Sequence, residues 1–258
     1  MGLGALNKAE WINEGGEEVL KALQPLNLRL VHGNTLTSAV VIENIKAAAI
    51  SIDFDSGNTS APCVFLTGPT SKIGRVIALK LALGGYNVVC CTTSKERFAA
   101  LEQELTSIQE KQPESAARVG TLSMAGSAQE GARYKLWAVG KYDPSVRNHI
   151  PEKASAVVFS VPCPLEGHRR DVSKIDGGVL RMDTSSATPR TRHCLLPFDQ
   201  VYACQAGALV HHLKGWTHHE TGKIDISQID TTLQAAFECG FSLPMPSSGG
   251  GSAVVAEV

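Results

Sequence analysis

The sequence VFLTGPTSKIGR, Val64 to Arg75, joins an apolar run, a glycine-containing loop and the start of a helical pattern. The apolar run Cys63–Leu66 is short and bounded by Pro62 and Gly68, which is typical of a strand buried on both faces of a parallel sheet. Apolar positions spaced along one helical face follow from Ile73 to Leu81, before two glycines. This segment therefore predicts a buried strand, a tight loop and a helix.

A loop of this kind directs backbone N–H groups and the positive end of a helix dipole at one point, which suits the pyrophosphate of a dinucleotide. A strand-to-helix turn also favours Gly, Thr and Ser for steric reasons, so the loop by itself is compatible with a purely structural role. On the dinucleotide interpretation, the predicted cofactor-binding residues of the loop are Thr67, Gly68, Thr70, Ser71, Lys72, Ile73 and Gly74.

The residues after the loop complete a βαβ unit, with a predicted strand over Tyr86–Thr93 and a predicted helix over Ser94–Ile108. NAD-binding proteins usually carry an Asp or Glu at the end of the second strand, where it binds the ribose hydroxyls. This chain has no acid there and instead has Ser94, Lys95 and Arg97. Ser94 and Arg97 are therefore added to the predicted site, and NADP(H) is favoured over NAD(H).

The whole pattern predicts an α/β fold, a Rossmann-like doubly wound and mostly parallel sheet with helices on both faces, over one domain of residues 1–241. Further predicted strands are 28–31, 134–140 and 156–161, and further predicted helices are 8–23, one capped by Asn34 or Thr35, 201–213 and 226–239. We expect a mobile surface insertion at 110–132, irregular structure at 171–198 and a disordered tail at 242–258. A strand and a helix ahead of the glycine loop would be unusual, because the fingerprint normally follows the first strand.

Some polar residues follow predicted strands and are site candidates by position only, although an ordinary loop role is favoured for each. They are His149, Cys163, His168, Arg169 and Arg170.

Composition narrows the class of protein. The formal net charge is −1 over 258 residues and basic residues are scattered, which gives no electrostatic case for nucleic acid. Seven cysteines without a Cys-x-x-Cys pair argue against a disulfide framework and favour a reducing compartment. We expect a soluble chain, because no signal-peptide core or bilayer-length apolar run is evident.

Two histidine pairs, His211-His212 and His218-His219, lie close to Glu220 and Asp225. Adjacent residues on a helix point about 100° apart, so at most one histidine of each pair can readily share a site. We interpret the pairs as structural, with imidazoles bonded to backbone groups, and predict no metal site. The chain has no Tyr-x-x-x-Lys pair, Gly-x-Ser-x-Gly elbow or His-Glu-x-x-His motif, so catalytic residues stay unassigned.

Five ordered blocks together resemble the C-terminal domain of the plant eceriferum-type very-long-chain aldehyde decarbonylases, from about residue 2 to about residue 241. The blocks are Leu6–Glu10, Val31–Thr37, Thr67–Arg75, Trp137–Lys141 and His211–Asp225. The resemblance implies a part in making cuticular-wax alkanes from very-long-chain acyl substrates at the cytosolic face of the endoplasmic reticulum. It also implies membrane-embedded wax-biosynthesis proteins of the same family as partners in a hetero-complex. One branch of the family is thought to reduce acyl-CoA to the aldehyde, and this sequence looks closer to that branch.

Three features of the sequence bear on this resemblance. The family's iron belongs to His-x-x-x-His and His-x-x-His-His clusters of an N-terminal, fatty-acid-hydroxylase-like membrane part, and these motifs are absent here, so no iron ligand is predicted. The abrupt start of the chain suggests a piece of a longer protein. Ser71 occupies the middle glycine position of the extended short-chain dehydrogenase loop, where a side chain crowds the pyrophosphate, whereas one as small as Ser can still fit and donate a hydrogen bond.

Two functional hypotheses remain open at the sequence level. The chain is either an NADP-dependent, reductase-like part of acyl-to-alkane conversion, or a non-catalytic docking or stabilising domain that retains a nucleotide-binding fold.

Overall fold

The computed structural model describes residues 1–3, 10–23, 25, 27–56, 61–111, 119–141, 143, 145–160, 169, 171–182, 196–197 and 199–244. At the centre of this part lies a six-stranded sheet in the order β3-β2-β1-β4-β5-β6. Its strands are β1 Cys63–Thr67, β2 Asn87–Cys91, β3 Leu122–Ala125, β4 Leu136–Val139, β5 Ser155–Val158 and β6 Ser173–Asp176. Every pairing is parallel. This strand order is that of the doubly wound dinucleotide-binding fold, which confirms the predicted fold class.

The helices are α1 Glu10–Asn13, α2 Glu17–Ala22, α3 Asn34–Ser56, α4 Lys72–Leu83, α5 Lys95–Lys111, α6 Val146–His149, α7 Ala203–Leu213 and α8 Ile229–Glu238. Within the described ranges, 3₁₀ helices cover Glu14–Gly16, Ala128–Arg133 and Ile226–Gln228. Side chains of β1 alternate between the faces of the sheet. Leu66 packs in the cluster formed with α3, α4 and α5, whereas Phe65 packs with Trp137 and α6 on the opposite face. The central strands β1, β2, β4 and β5 are mainly apolar because both of their faces are covered.

Helix α3 lies between the main sheet and helices α7 and α8. It is buried on nearly all sides, so apolar residues occur around its whole circumference. The stretch Asn34–Ile52 is long and apolar enough to cross a bilayer. However, 67% of an 18-residue segment within it is buried inside the domain. The expectation that no apolar run reaches this length is therefore wrong, although α3 packs as a core helix.

A second, antiparallel sheet lies on the outer side of α3, in the order β8-β7-β9. Its strands are β7 Val179–Met182, β8 Gln200–Tyr202 and β9 Phe241–Ser242. Leu180 and Phe241 from this sheet pack with Leu36 and Val40 of α3 in a separate apolar cluster. Helix α3 is therefore the element that joins two cores.

Several predicted elements differ from the structure. Residues 28–31 form no strand, since only Val31 makes isolated bridges, to Gly2 and Glu220. The glycine loop thus follows the first strand of the described sheet, whereas helix α3 does precede that strand, as predicted. Strand β3 and a 3₁₀ helix lie in the stretch predicted as a surface insertion. The strand was not predicted because it is a four-residue edge strand with two exposed positions, Ser123 and Met124.

Strands β6 and β7 likewise lie where irregular structure was predicted, and they flank the turn at Gly177-Gly178. Cys163, His168, Arg170 and most of the predicted tail lie outside the described residues. The five described cysteines are free thiols: Cys63, Cys90, Cys91, Cys204 and Cys239.

Candidate functional site

The glycine loop leaves β1 at the point where the strand order reverses, which is where ligands bind in open parallel sheets. Gly68 has φ +70°, a backbone conformation that side chains disfavour. Gly74 lies in the first turn of α4, and a Cβ there would be 2.0 Å from the Gly68 carbonyl oxygen. The absence of a side chain at Gly74 thus permits the close approach of helix and loop.

Ser71 caps α4 and directs its hydroxyl back into the loop. Its Oγ donates to the Gly68 carbonyl at 2.8 Å and accepts the Gly74 N–H at 3.1 Å. The side chain that replaces the usual middle glycine is therefore held against its own helix.

Thr67 ties together the loops that follow β1 and β4. Its Oγ1 accepts the Gly140 N–H at 3.1 Å, and its carbonyl accepts the same N–H at 3.2 Å. Only 2% of Thr67 is exposed. This predicted site residue therefore serves to shape the crevice.

The other predicted residues are distributed around the loop. Because Thr67 pairs with Cys91, Ser94 lies at the same edge of the sheet as Gly68. Ser94 Oγ accepts the Arg97 N–H at 3.3 Å in the first turn of α5, and the Arg97 side chain is exposed. Thr70 is half-buried, and Ile73 packs against the core of the sheet.

Lys72 points away from the rim of the loop. Its buried Nζ lies against the 3₁₀ turn Glu14–Gly16, so that a Cβ on Gly15 would come within 2.1 Å of it. The structure therefore brings Gly68, Ser71, Gly74 and Ser94 to one edge, whereas Lys72 lies beneath the N-terminal turn.

A buried ion pair that the sequence analysis missed lies at the start of α3. His32 Nδ1 is 2.8 Å from Glu220 Oε1, and the same oxygen accepts the Thr35 N–H at 3.1 Å. Burial opposes ionisation of Glu220, but the bonds from His32 and Thr35 outweigh it and lower the pKa of the carboxyl.

The Asn34 N–H is directed at the same Nδ1, at 3.1 Å. A lone pair on Nδ1 would repel the carboxylate 2.8 Å away, so we assign a proton to Nδ1. His32 and Glu220 both lie in sequence blocks that carry the family resemblance. That shared membership was the one signal that could have found them.

The structure brings one histidine of each pair together, as the sequence geometry allows. The rings of His211 and His218 are 4.8 Å apart, and Trp216 lies 5.5 Å from His211. Burial, and next the neighbouring His218, lower the pKa of His211. His219 Nδ1 accepts the Leu30 N–H at 3.1 Å, whereas His212 is exposed. Among the described residues, no three His, Cys, Asp or Glu side chains are grouped to hold a metal.

The segment 220–224 links the histidines to the helix of the glycine loop. It starts at Glu220, continues through Gly222, whose N–H donates to the Gly15 carbonyl at 3.3 Å, and ends where Arg75 Nη2 donates to the Ile224 carbonyl at 2.9 Å. A cleft of about 370 Å³ lies along it and is lined by His32, Trp216, His218 and Glu220 among others.

Arg169 and His149, which were site candidates by position only, both lie at or beside the end of α6. Arg169 donates to the carbonyl oxygens of Arg147 at 3.0 Å and Ile150 at 2.6 Å, so it fastens the end of α6. His149 lies half-buried in the last turn of that helix.

The cysteines of β2 are poor nucleophiles, since burial raises the pKa of Cys90 to about 12.

The strand order and the loop at the switch point define a Rossmann-like α/β domain. The chain belongs to the family described as CER1-like, C-terminal domain, whose model matches residues 64–243. It is 36% identical over 239 residues to the very-long-chain aldehyde decarbonylase GL1-1 of Oryza sativa subsp. indica, an alignment that covers 92% of this chain and 35% of that protein. It is 34% identical over 245 residues to GL1-2 of the same subspecies, with 94% and 35% covered.

The chain thus spans about a third of the length of these relatives, 35% in both alignments. Among solved structures, the crystal structure of AibC has a TM-score of 0.33 and 12% identity, and the match covers 80% of this chain and 47% of that one.

Proposed function

We propose that this domain acts in wax alkane biosynthesis on very-long-chain acyl-CoA or aldehyde, as an NADP(H)-binding, reductase-like part. The relatives' name, very-long-chain aldehyde decarbonylase, supports the substrate class. The observation that carries the nucleotide proposal is the loop Gly68–Gly74, placed after β1 at the switch point of a sheet with the dinucleotide-binding strand order.

The residues present fit such a nucleotide. The loop backbone at the start of α4 would hold the pyrophosphate, and Ser94 with the exposed Arg97 would receive the 2′-phosphate. When bound, NADPH would supply a hydride. No Asp or Glu stands at the end of β2, from Cys91 to Ser94, where it would oppose the 2′-phosphate.

Calorimetric titration of the full chain with NADPH and NADH tests this proposal. We expect tighter binding of NADPH, and we expect Arg97→Glu to remove that preference by weakening NADPH binding about tenfold or more. Lys111→Glu makes the same charge change at the other end of α5 and serves as the matched control. No binding of either nucleotide at millimolar concentration would refute the proposal.

We propose as the second candidate function a docking domain for membrane-embedded members of the same family at the endoplasmic reticulum. The supporting observation is that large apolar side chains are exposed on two adjacent helices, Leu209 and Leu213 on α7 and Phe237 on α8. This function requires no bound nucleotide, so the titration separates the two candidates.

A further inference from the structure

We propose that His32 and Glu220 form a proton-donating pair that binds the carbonyl oxygen of an acyl substrate through His32 Nε2. The choice of an acyl carbonyl rests on the proposed function, whereas the existence of a ligand site at Nε2 rests on the structure alone.

The first observation is the orientation of the imidazole. Glu220 Oε1 fixes the Nδ1 side of the ring at 2.8 Å, as a carboxylate does when it orients a functional histidine. The opposite nitrogen, Nε2, is buried and has no hydrogen-bond partner among the described residues. A buried polar atom without a partner is costly and is accounted for by a ligand or a water.

The second observation is the space beside the pair. The cleft of about 370 Å³ is polar in its lining, with Thr35, Thr232 and Gln228 beside the ion pair. It shares Trp216 with a groove of about 430 Å³, where the apolar Met1, Leu28, Val31 and Ala208 lie beside polar residues that include Asn27, Arg29 and Thr217. A polar cleft beside a groove that offers this apolar surface fits a molecule with an oxygen at one end and a hydrocarbon tail at the other.

The third observation is the position of the pair in the fold. Asn44 of α3 donates to the carbonyl of Gly177, which directly follows β6, so the N-terminal half of α3 lies at the carboxyl edge of the sheet. His32 precedes α3 and lies beyond that edge, on the side of the molecule where the glycine loop lies. The segment 220–224 connects it to Arg75 of α4.

The chemistry is that of a charge-assisted hydrogen bond. With Glu220 holding the Nδ1 proton, a second proton on Nε2 makes the imidazole a donor to a carbonyl oxygen. The chain has no Tyr-x-x-x-Lys pair, and this ion pair would polarise the carbonyl in its place.

Paired probes that differ only in the carbonyl test the proposal on the full chain at pH 6. The probes are the octanoyl thioester of N-acetylcysteamine and the matching octyl thioether, and the readout is Trp216 fluorescence, assigned with Trp216→Phe. We expect the wild type to bind the thioester about tenfold more tightly than the thioether. His32→Gln should abolish that preference, whereas His149→Gln, in α6 and outside the lining of both the cleft and the groove, should keep it.

A wild type that binds both probes equally overturns the proposal and leaves a buried water as the partner of Nε2, and so does a His32→Gln variant that keeps the preference. If His32→Gln fails to fold, long-range ¹H–¹⁵N spectra of the wild type serve instead. A shift of His32 Nε2 with the thioester but not the thioether supports the proposal, and no difference refutes it. NADPH titrated in parallel reports on the nucleotide site alone, so a loss of either result identifies which proposal has failed.

Discussion

Gly74 is the residue on which the geometry of the glycine loop depends, because a Cβ there would lie 2.0 Å from the Gly68 carbonyl oxygen. Gly74→Ala should therefore push α4 away from the loop and destabilise the fold by about 3 kcal/mol, in the range of a buried steric conflict. Gly84→Ala, at the C-cap of the same helix, is the control, since a Cβ there would have its nearest neighbour 3.3 Å away and the φ of Gly84 is −85°. Urea denaturation that gives equal losses for the two variants would contradict this account.

Glu220 should stabilise the fold in a pH-dependent manner. Its pKa is lowered from the ordinary value of 4.5, so its contribution is fully present above pH 4.5 and is lost as the pH falls through the lowered pKa. At pH 7, Glu220→Gln should cost about 3 kcal/mol, because it removes the carboxylate charge that faces the buried His32 and the Thr35 N–H.

The pH dependence is measured by denaturation of wild type and variant between pH 7 and pH 3. We expect the difference in unfolding free energy to shrink toward acid. Glu238→Gln, at an exposed position of α8, is the control and should change stability little at either pH. A difference for Glu220→Gln that is constant with pH would show that the charge on Glu220 is unimportant.

The sequence predicted the residues that shape the loop but not those that pair across the chain. Gly68, Ser71 and Gly74 are local, so their spacing reveals them. His32 and Glu220 lie near opposite ends of the domain in sequence. The β-bridge between Val31 and Glu220 brings them together in the fold. No local pattern carries that contact.

Among the elements, helix α3 contributes to both cores, since it packs on the sheet with one side and on α7 and α8 with the other. Ile45→Ala should destabilise the protein by about 3 kcal/mol, because Ile45 is fully buried and truncation leaves a cavity. Ile50→Ala in the same helix should cost under about 0.5 kcal/mol, because Ile50 is 69% exposed. Thermal or urea denaturation that ranks the two substitutions the other way round would contradict the placement of α3.

Elements were predictable where apolar periodicity is strong. The strand–loop–helix unit and the strand of residues 136–139 were predicted because burial on both faces leaves an unbroken apolar run. Strand β3 was missed because it lies at the edge of the sheet and has exposed positions, and α3 was recognised as a helix but not as the layer between two sheets. Edge strands and layer order depend on tertiary contacts that a local pattern does not contain.

At the scale of the whole molecule, the strand order places the glycine loop at the carboxyl edge of the main sheet. The cleft beside His32 and Glu220 lies on the same side, because Asn44 of α3 contacts Gly177 directly after β6. This arrangement is useful to a reductase, which needs both a nucleotide and a substrate carbonyl. A docking domain needs only a stable surface. The two candidate functions therefore make different demands on the chain and depend on different residues.

Co-expression in yeast supplied with very-long-chain acyl-CoA tests these demands, with alkanes measured by gas chromatography. We expect no alkane from the chain alone, because the family resemblance assigns the oxygen-activating iron to histidine motifs that are not in this sequence. Beside an intact alkane-forming relative, the chain should raise alkane output. If it acts as a reductase, Arg97→Glu should abolish that rise while Lys111→Glu keeps it, because only the first alters the proposed nucleotide site. If it acts by docking, both variants should keep the rise and Leu213→Glu on the exposed face of α7 should abolish it. Alkane made by the chain alone would contradict the dependence on a membrane partner.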